Sequence, residues 1–191
     1  MELNIGVELA AGACSLNQQD KCGGTMYIRL LTAKDAKLYW QLRLKTLKQN
    51  PHAFLLTVAE EENKLQPVKK TAQQLKDPTR ITLGAFDQKK LVGSITLQRE
   101  VFEKIKHKGS VLSFFVENDY RGKGIGKILL KKVISIAKNC EIEQLILTVV
   151  AKNTDAIHLY EGMGFTVMGL EKKALKYENV YYDEKHMVLY L

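Results

Sequence analysis

Residues 117–127, ENDYRGKGIGK, set Gly122, Gly124 and Gly126 at alternate positions among cations, directly after the apolar run VLSFFV. Glycine costs backbone entropy and brings no side chain to a core, so three of them within five residues need a reason. A phosphate-binding P-loop separates its glycines by four residues and follows its lysine with a hydroxyl. Here three residues separate Gly122 from Gly126, and Ile128 stands where the hydroxyl belongs. The dinucleotide fingerprint G-x-G-x-x-G fails too, because the third glycine arrives one position early. The physics common to both loops still applies: a strand ends, bare backbone lets a ligand approach closely, and a helix begins whose first amides have no internal partners. From Arg121 to Lys132 there are five cations and no acid. Backbone N–H groups, helix dipole and side-chain charge together suit a pyrophosphate. A glycine turn feeding a helix with a solvated basic face accounts for the same residues.

Outward from this stretch, the hydrophobic pattern divides the chain into elements. Tyr27–Thr32 alternates as a half-buried strand. Residues 33–50 repeat apolar side chains at helical spacing, with Thr32 as a candidate cap and Pro51 as the stop. The stretch 54–64 is ambiguous, and VKKTAQQLKD reads as a second helix closed by Asp77-Pro78. From Arg80 the period falls to two, and ITLGAFDQ and KLVGSITLQRE read as a hairpin. SVLSFFV suits the middle of a sheet. Residues 124–140 form a helix lined by Ile125, Leu129, Val133, Ile136 and Cys140. QLILTVV is another buried strand, NTDAIHLYEGMG a short helix ending at glycine, and FTVMGLEKKALKY with KHMVLYL a final hairpin turning around Glu178-Asn179. The order β-α-α-β-β-β-α-β-α-β-β predicts a single mixed α/β domain built on one sheet layer.

The 191 residues suffice for one domain with a real core. Apolar residues make up 46% and charged residues 26%, the balance of a globular chain. The net charge of +8 fits nucleic acid, a membrane surface or a polyanionic small molecule alike. Three cysteines are too few and odd for a disulfide framework, which makes a cytoplasmic location the expectation. No apolar run reaches the length of a membrane span. Residues 1–25 lack the cationic start and unbroken apolar core of a secretory signal. They are expected to be a disordered extension, a cloning remnant or the product of an upstream start codon, with the domain running over 26–191. The four histidines, His52, His107, His158 and His186, show no metal-ligand spacing, and no metal is expected.

The string Arg121-x-x-Gly124-x-Gly126 after an apolar strand resembles the R/Q-x-x-G-x-G/A motif of GCN5-related N-acetyltransferases (GNAT). A second motif agrees independently: Asn153-x-x-Ala156-x-x-x-Tyr160-x-x-x-Gly164-Phe165. The resemblance runs from about residue 27 to the C-terminus. It implies a mixed, mostly antiparallel sheet flanked by helices, with a central strand pair splayed open to bind acetyl-CoA. Phe114, Phe115 and Val116 would lie on the splayed strand, whose freed backbone groups would pair with the pantetheine arm. The backbone of Arg121, Gly122, Lys123, Gly124, Ile125 and Gly126 would take the pyrophosphate, with Lys127 nearby. Asn153 would hydrogen-bond the pantetheine arm. Tyr160 would sit near the thioester sulfur and protonate the departing thiolate as general acid. A backbone amide of the splayed strand would stabilise charge on the carbonyl oxygen.

The acceptor is less legible. GNAT enzymes that modify ribosomal-protein N-termini carry a glutamate five residues before the motif asparagine, where this chain has Thr148. That departure favours a small-molecule primary amine over a peptide. Glu117 is the first candidate base and Asp183 the second. Residues 51–65 and 172–186 would border the acceptor pocket, with Glu60, Glu61 and Glu62 suited to a cationic amine and Tyr177, Tyr181 and Tyr182 to its walls. A protein N-terminal or lysine acetyltransferase of the same fold is the alternative. A basic binding module for nucleic acid or another anion is the alternative of another class, although no RRM, helix-turn-helix or zinc-finger pattern is present. Neither a nucleic-acid nor a membrane partner is expected, and members of this fold often pair as homodimers.

Overall fold

The computed structural model describes residues 20–21 and 25–191. Most of the expected extension over 1–25 lies outside the described residues. Within it, β1 (Asp20–Lys21) pairs antiparallel with Tyr27 and Ile28 of β2 (Met26–Leu30). The remaining strands are β3 (Arg80–Asp87), β4 (Lys90–Arg99), β5 (Lys108–Val116), β6 (Gln144–Val150), β7 (Thr166–Tyr177) and β8 (Val180–Tyr190). Among the described residues they form one sheet in the order β1-β2-β3-β4-β5-β6-β8-β7. Every neighbouring pair is antiparallel except β5–β6. The helices are α1 (Ala36–Gln49), α2 (Val58–Glu62), α3 (Pro67–Gln74), α4 (Ile125–Asn139) and α5 (Thr154–Glu161). The GNAT-type α/β architecture read from the sequence is the one observed.

Helices cover both faces of the sheet, which is why β3 and β4 bury nearly every residue instead of alternating. The hydroxyls of Thr82 and Thr96 satisfy each other at 2.9 Å inside this layer. On one face, Leu129, Leu130, Val133 and Ala137 of α4 lose all solvent contact against β3, β4 and β6 residues such as Ile95, Leu97 and Leu145. On the other, Tyr39 and Leu42 of α1 pack with Leu31, Phe86, Leu91 and Phe115. The consecutive residues Phe114 and Phe115 therefore join different cores, as strand alternation requires.

Thr32 caps a 3-10 turn, Ala33–Asp35, that leads directly into α1, and Asp35 is the N-cap of α1 itself. The Thr32 backbone N–H and Oγ1 both donate to Asp35 Oδ2, at 2.8 and 3.1 Å, so the carboxylate makes the turn. The ambiguous stretch 54–64 contains α2, begun by a capping box: Glu60 N–H donates to Thr57 Oγ1 at 3.2 Å, and Thr57 N–H to Glu60 Oε2 at 2.7 Å.

Two irregularities open the sheet. Ser94 stands opposite Phe115 and Thr96 opposite Leu112, so Ser113 and Phe114 together face the single residue Ile95. This is a β-bulge, with Ser113 at φ 50° and its carbonyl accepting from Ser94 Oγ at 3.2 Å. Beyond it the strand bends away from β6. Only Lys108–Ser110 pair with Gln144–Ile146, and past that point β5 and β6 diverge.

Candidate active site

The divergence of β5 and β6 opens a cleft of about 1460 Å³, ample for a nucleotide-sized ligand and a second substrate. Phe114, Phe115 and Val116 line it from β5, and Ile146, Thr148 and Val150 from β6. Arg121, Gly122, Gly124, Ile125, Gly126 and Lys127 line one end, where α4 begins. From Gly122 to Lys127, six consecutive backbone amides have no acceptor among the described residues; the first bonded amide after them is that of Ile128, which donates to the Gly124 carbonyl. Gly122 and Gly124 have φ of 73° and 78°, and a Cβ at either would meet open space. Gly126 is glycine for a different reason: a Cβ there would press on Leu159 Cδ2 at 3.3 Å and Phe114 Cζ at 3.4 Å.

The cations around this loop are placed by side-chain contacts. Arg121 Nε donates to the Val116 carbonyl at 3.1 Å and Nη2 to Asn50 Oδ1 at 3.3 Å, tying the loop to the ends of β5 and α1. Lys123 lies over the Tyr120 ring, 5.0 Å from its centroid, outside the lining of the cleft. Tyr120 is in turn held by donating its hydroxyl to Asp87 at 3.0 Å.

Asn153 and Tyr160 also line the cleft. Asn153 Oδ1 accepts from Ala156 N–H at 3.3 Å and so caps α5, while its Nδ2 donors have no partner among the described residues. Tyr160, on α5, is 7% exposed and packs between Phe114 and Phe165, at ring-centroid distances of 6.0 and 5.8 Å. Burial pushes its phenol pKa upward, so the hydroxyl stays protonated throughout the working range and remains a donor.

The opposite part of the cleft is lined by Pro51, His52, Phe54, Leu55 and Leu56 after α1, and by Leu175, Tyr182, Glu184 and His186 from the β7–β8 hairpin. His52 stacks on Tyr182 at 4.9 Å and meets Tyr177 edge-on at 5.5 Å, joining these two segments. Tyr181 instead faces outward beneath Lys173 and Lys176.

Glu117 departs from the base expected of it. Its Oε2 accepts from Lys90 Nζ at 2.7 Å and Lys45 Nζ at 2.8 Å, and the side chain is absent from the cleft lining. Burial opposes its ionisation, but the two ammonium groups prevail and hold its pKa below the usual carboxylate value. A carboxylate so stabilised is a poor proton acceptor, and it joins α1 to the start of β4. Asp183 is also outside the lining, with Oδ1 accepting from Lys173 N–H at 2.8 Å across a bulge in β7. The acidic run turns elsewhere as well: Glu60 caps α2, Glu61 is buried between Arg43 and Lys64, and Glu62 pairs with Lys48.

The sequence profile of the Acetyltransferase (GNAT) domain matches residues 28–186, most of the chain. The chain belongs to the GNAT acetyltransferase family. N-alpha-acetyltransferase 30 of Xenopus laevis is 32% identical over 74 residues, 39% of this chain and 27% of that protein. The chain thus spans about a quarter of that relative's length. A probable spermine N(1)-acetyltransferase of Bacillus subtilis subsp. natto is 28% identical over 67% of this chain and 90% of its own. A putative acetyltransferase of Salmonella typhimurium, solved with acetyl-CoA, superposes with a TM-score of 0.72 at 19% identity, over 88% of this chain and 95% of that one.

The GNAT cleft fits coenzyme A on its own chemistry. Unpartnered amides at a helix N-terminus suit a pyrophosphate, and the unpaired facing edges of β5 and β6 suit the alternating amides of a pantetheine arm. No group of three or more His, Cys, Asp or Glu side chains among the described residues is placed to hold a metal. The segment 172–186 does border the cleft, but its sequence does not single out Glu184 or the pair His186–Glu171, in which His186 Nε2 lies 2.9 Å from Glu171 Oε2. Their convergence is set by strand register between β6, β7 and β8, and no local spacing reveals it.

Proposed function

We propose that the protein transfers the acetyl group of acetyl-CoA to a primary amine of a small molecule. The observation that carries this reading is the union, in one cleft, of the backbone amides of Gly122 and residues 124–127 with the phenol of Tyr160 on α5, none of which has a hydrogen-bond partner among the described residues. The bound coenzyme supplies an activated acetyl thioester. Residues 122–127 would hold its pyrophosphate, the open edges of β5 and β6 and the Asn153 amide its pantetheine arm. Tyr160 donates a hydrogen bond to the leaving sulfur. Because burial makes this phenol a weaker acid than a thiol, it stabilises the thiolate chiefly as a donor, with its proton completing transfer late.

The acceptor half supports a compact cationic amine. His52, Phe54 and Tyr182 supply aromatic surface, and Glu184 a carboxylate, while Thr148 replaces the glutamate found in peptide-modifying members. The similarity to a probable spermine acetyltransferase supports the same class. A protein N-terminal acceptor is the second reading, supported by the shorter but more identical match to N-alpha-acetyltransferase 30. A thiol-release assay across polyamines, amino acids, aminoglycosides and N-terminal peptides separates them. Release with small amines at kcat/KM at least tenfold above any peptide is expected. A preference for peptides would overturn the small-molecule assignment.

A further inference from the structure

On one face of the sheet, beside the splay, adjacent strands place four polar side chains together. Thr148 of β6 stands opposite His186 of β8, and Val150 opposite Glu184. Glu184 in turn stands opposite Glu171 of β7. His186 Nε2 lies 2.9 Å from Glu171 Oε2, and its Nδ1 lies 3.4 Å from Thr148 Oγ1. Glu171 is therefore on the outer side of the ring, and Thr148, Glu184 and His186 line the cleft.

This arrangement decides the imidazole's tautomer. An ionised Glu171 can only accept, so the proton sits on Nε2, and the lone pair on Nδ1 is directed to the side of Thr148. Thr148 occupies the position where peptide-modifying relatives carry a glutamate. The adjacent strand thus returns a proton acceptor to a place the sequence had left without one.

Resting on the acetyl-transfer reading above, we infer that His186 is the general base of the reaction and that Glu171 is its positioning residue. The acceptor arrives as an ammonium ion. One of its N–H bonds breaks as an Nδ1–H bond forms on His186, directly or through the Thr148 hydroxyl. The freed lone pair attacks the acetyl carbonyl and forms the carbon–nitrogen bond. The carbon–sulfur bond breaks with its electron pair on sulfur, which takes the Tyr160 proton, and the second proton on the new amide nitrogen leaves to solvent. Glu171 stabilises the imidazolium until it returns its proton to solvent, and the phenol is restored from solvent in the same way.

Among the described residues of the flanking strands, the charged groups facing the ring are Glu171 from β7 and Glu184 from β8; β6 contributes Thr148 and Val150, and Lys185 alternates to the opposite face. Both facing groups are acids. Glu184 has its own pKa raised, first by burial and then by Glu171, which makes it the competing candidate.

The test is the pH dependence of kcat/KM with the best primary alkylamine of the thiol-release panel. With His186 as base, the wild-type profile rises through the imidazole range and then levels. In His186→Ala the reaction must wait for free amine in solution. Its profile should lie about 100-fold below wild type at pH 7 and climb tenfold per pH unit, so that it approaches wild type at about pH 9. His186→Gln, which keeps a partner for Glu171 but takes no proton, should behave alike. Acetyl-CoA affinity measured by calorimetry should stay within about threefold in both. Glu171→Gln should lower kcat about fivefold with KM for acetyl-CoA within about threefold, and Glu171→Asp, which keeps the charge, should recover part of that loss.

A loss in both His186 variants that is the same at every pH, or no loss, would overturn the proposal. So would the climbing profile appearing in Glu184→Gln and not in the His186 variants. A wild type that binds acetyl-CoA but acetylates no amine would overturn the transfer reading itself, and the base with it.

Discussion

Tyr160 and Glu117 show how differently two candidate residues are fixed. The Tyr160 ring is clamped by Phe114 and Phe165 while its hydroxyl is left to the cleft, so Tyr160→Phe removes a donor and keeps the packing. Turnover should fall by about 100-fold with acetyl-CoA affinity within about threefold; steady-state kinetics with calorimetry checks this, and unchanged turnover would remove Tyr160 from the chemistry. Glu117→Gln should show the reverse. It leaves Lys45 and Lys90 to face each other across a neutral amide, at a cost of about 1–2 kcal/mol given that both lysines are partly exposed. Thermal denaturation should report a melting temperature lower by several degrees, with kcat reduced less than threefold at a permissive temperature. Tyr160 was legible in the sequence because its motif lies within a single turn-and-helix segment. Glu117 was not, because the lysines that neutralise it come from α1 and the start of β4, and their approach is a product of tertiary packing.

The glycine loop and α4 act as one element. Gly124 is the N-cap of α4 at φ 78°, a conformation that an L side chain adopts only at a cost of about 1–2 kcal/mol. Gly124→Ala finds open space for its methyl group, so its effect isolates backbone conformation and access to the amides. Acetyl-CoA affinity should weaken about tenfold in a calorimetric titration, with the circular dichroism of the folded protein preserved. The buried face of α4 holds Leu129, Leu130, Val133 and Ala137, and its 3.6-residue period made it readable, as the period of two did for β3 and β4. The splay of β5 was expected only from family resemblance, because SVLSFFV carries no local mark of the extra residue at Ser113–Phe114. The α2 capping box at Thr57 and Glu60 was present in the sequence, yet a five-residue helix has too little periodicity to announce itself.

At the scale of the molecule, acid stability rests partly on the junction between β2 and α1. Asp35 accepts from Arg29 through both oxygens, at 2.8 and 2.7 Å, and from Thr32. The Arg29 hydrogen bonds, against some cost of burial, lower its pKa from 3.8 to about 2. A folded pKa below the unfolded one stabilises the native state above pH 4, and this contribution disappears as the pH falls through about 2. It amounts to about 2 kcal/mol. Asp35→Asn should lose that stability at pH 7 and match wild type near pH 2, as read from urea denaturation across this range. The whole fold also sets which chemistry is possible: α4 delivers amides to one end of the splay, α5 delivers Tyr160, and β8 delivers Glu184 and His186 at the other. Every one of these assignments depends on coenzyme A lying between β5 and β6. Isothermal titration with acetyl-CoA tests that claim most directly. The account predicts one site per chain with a micromolar Kd, weakened by Gly124→Ala; absence of binding at millimolar acetyl-CoA would contradict it.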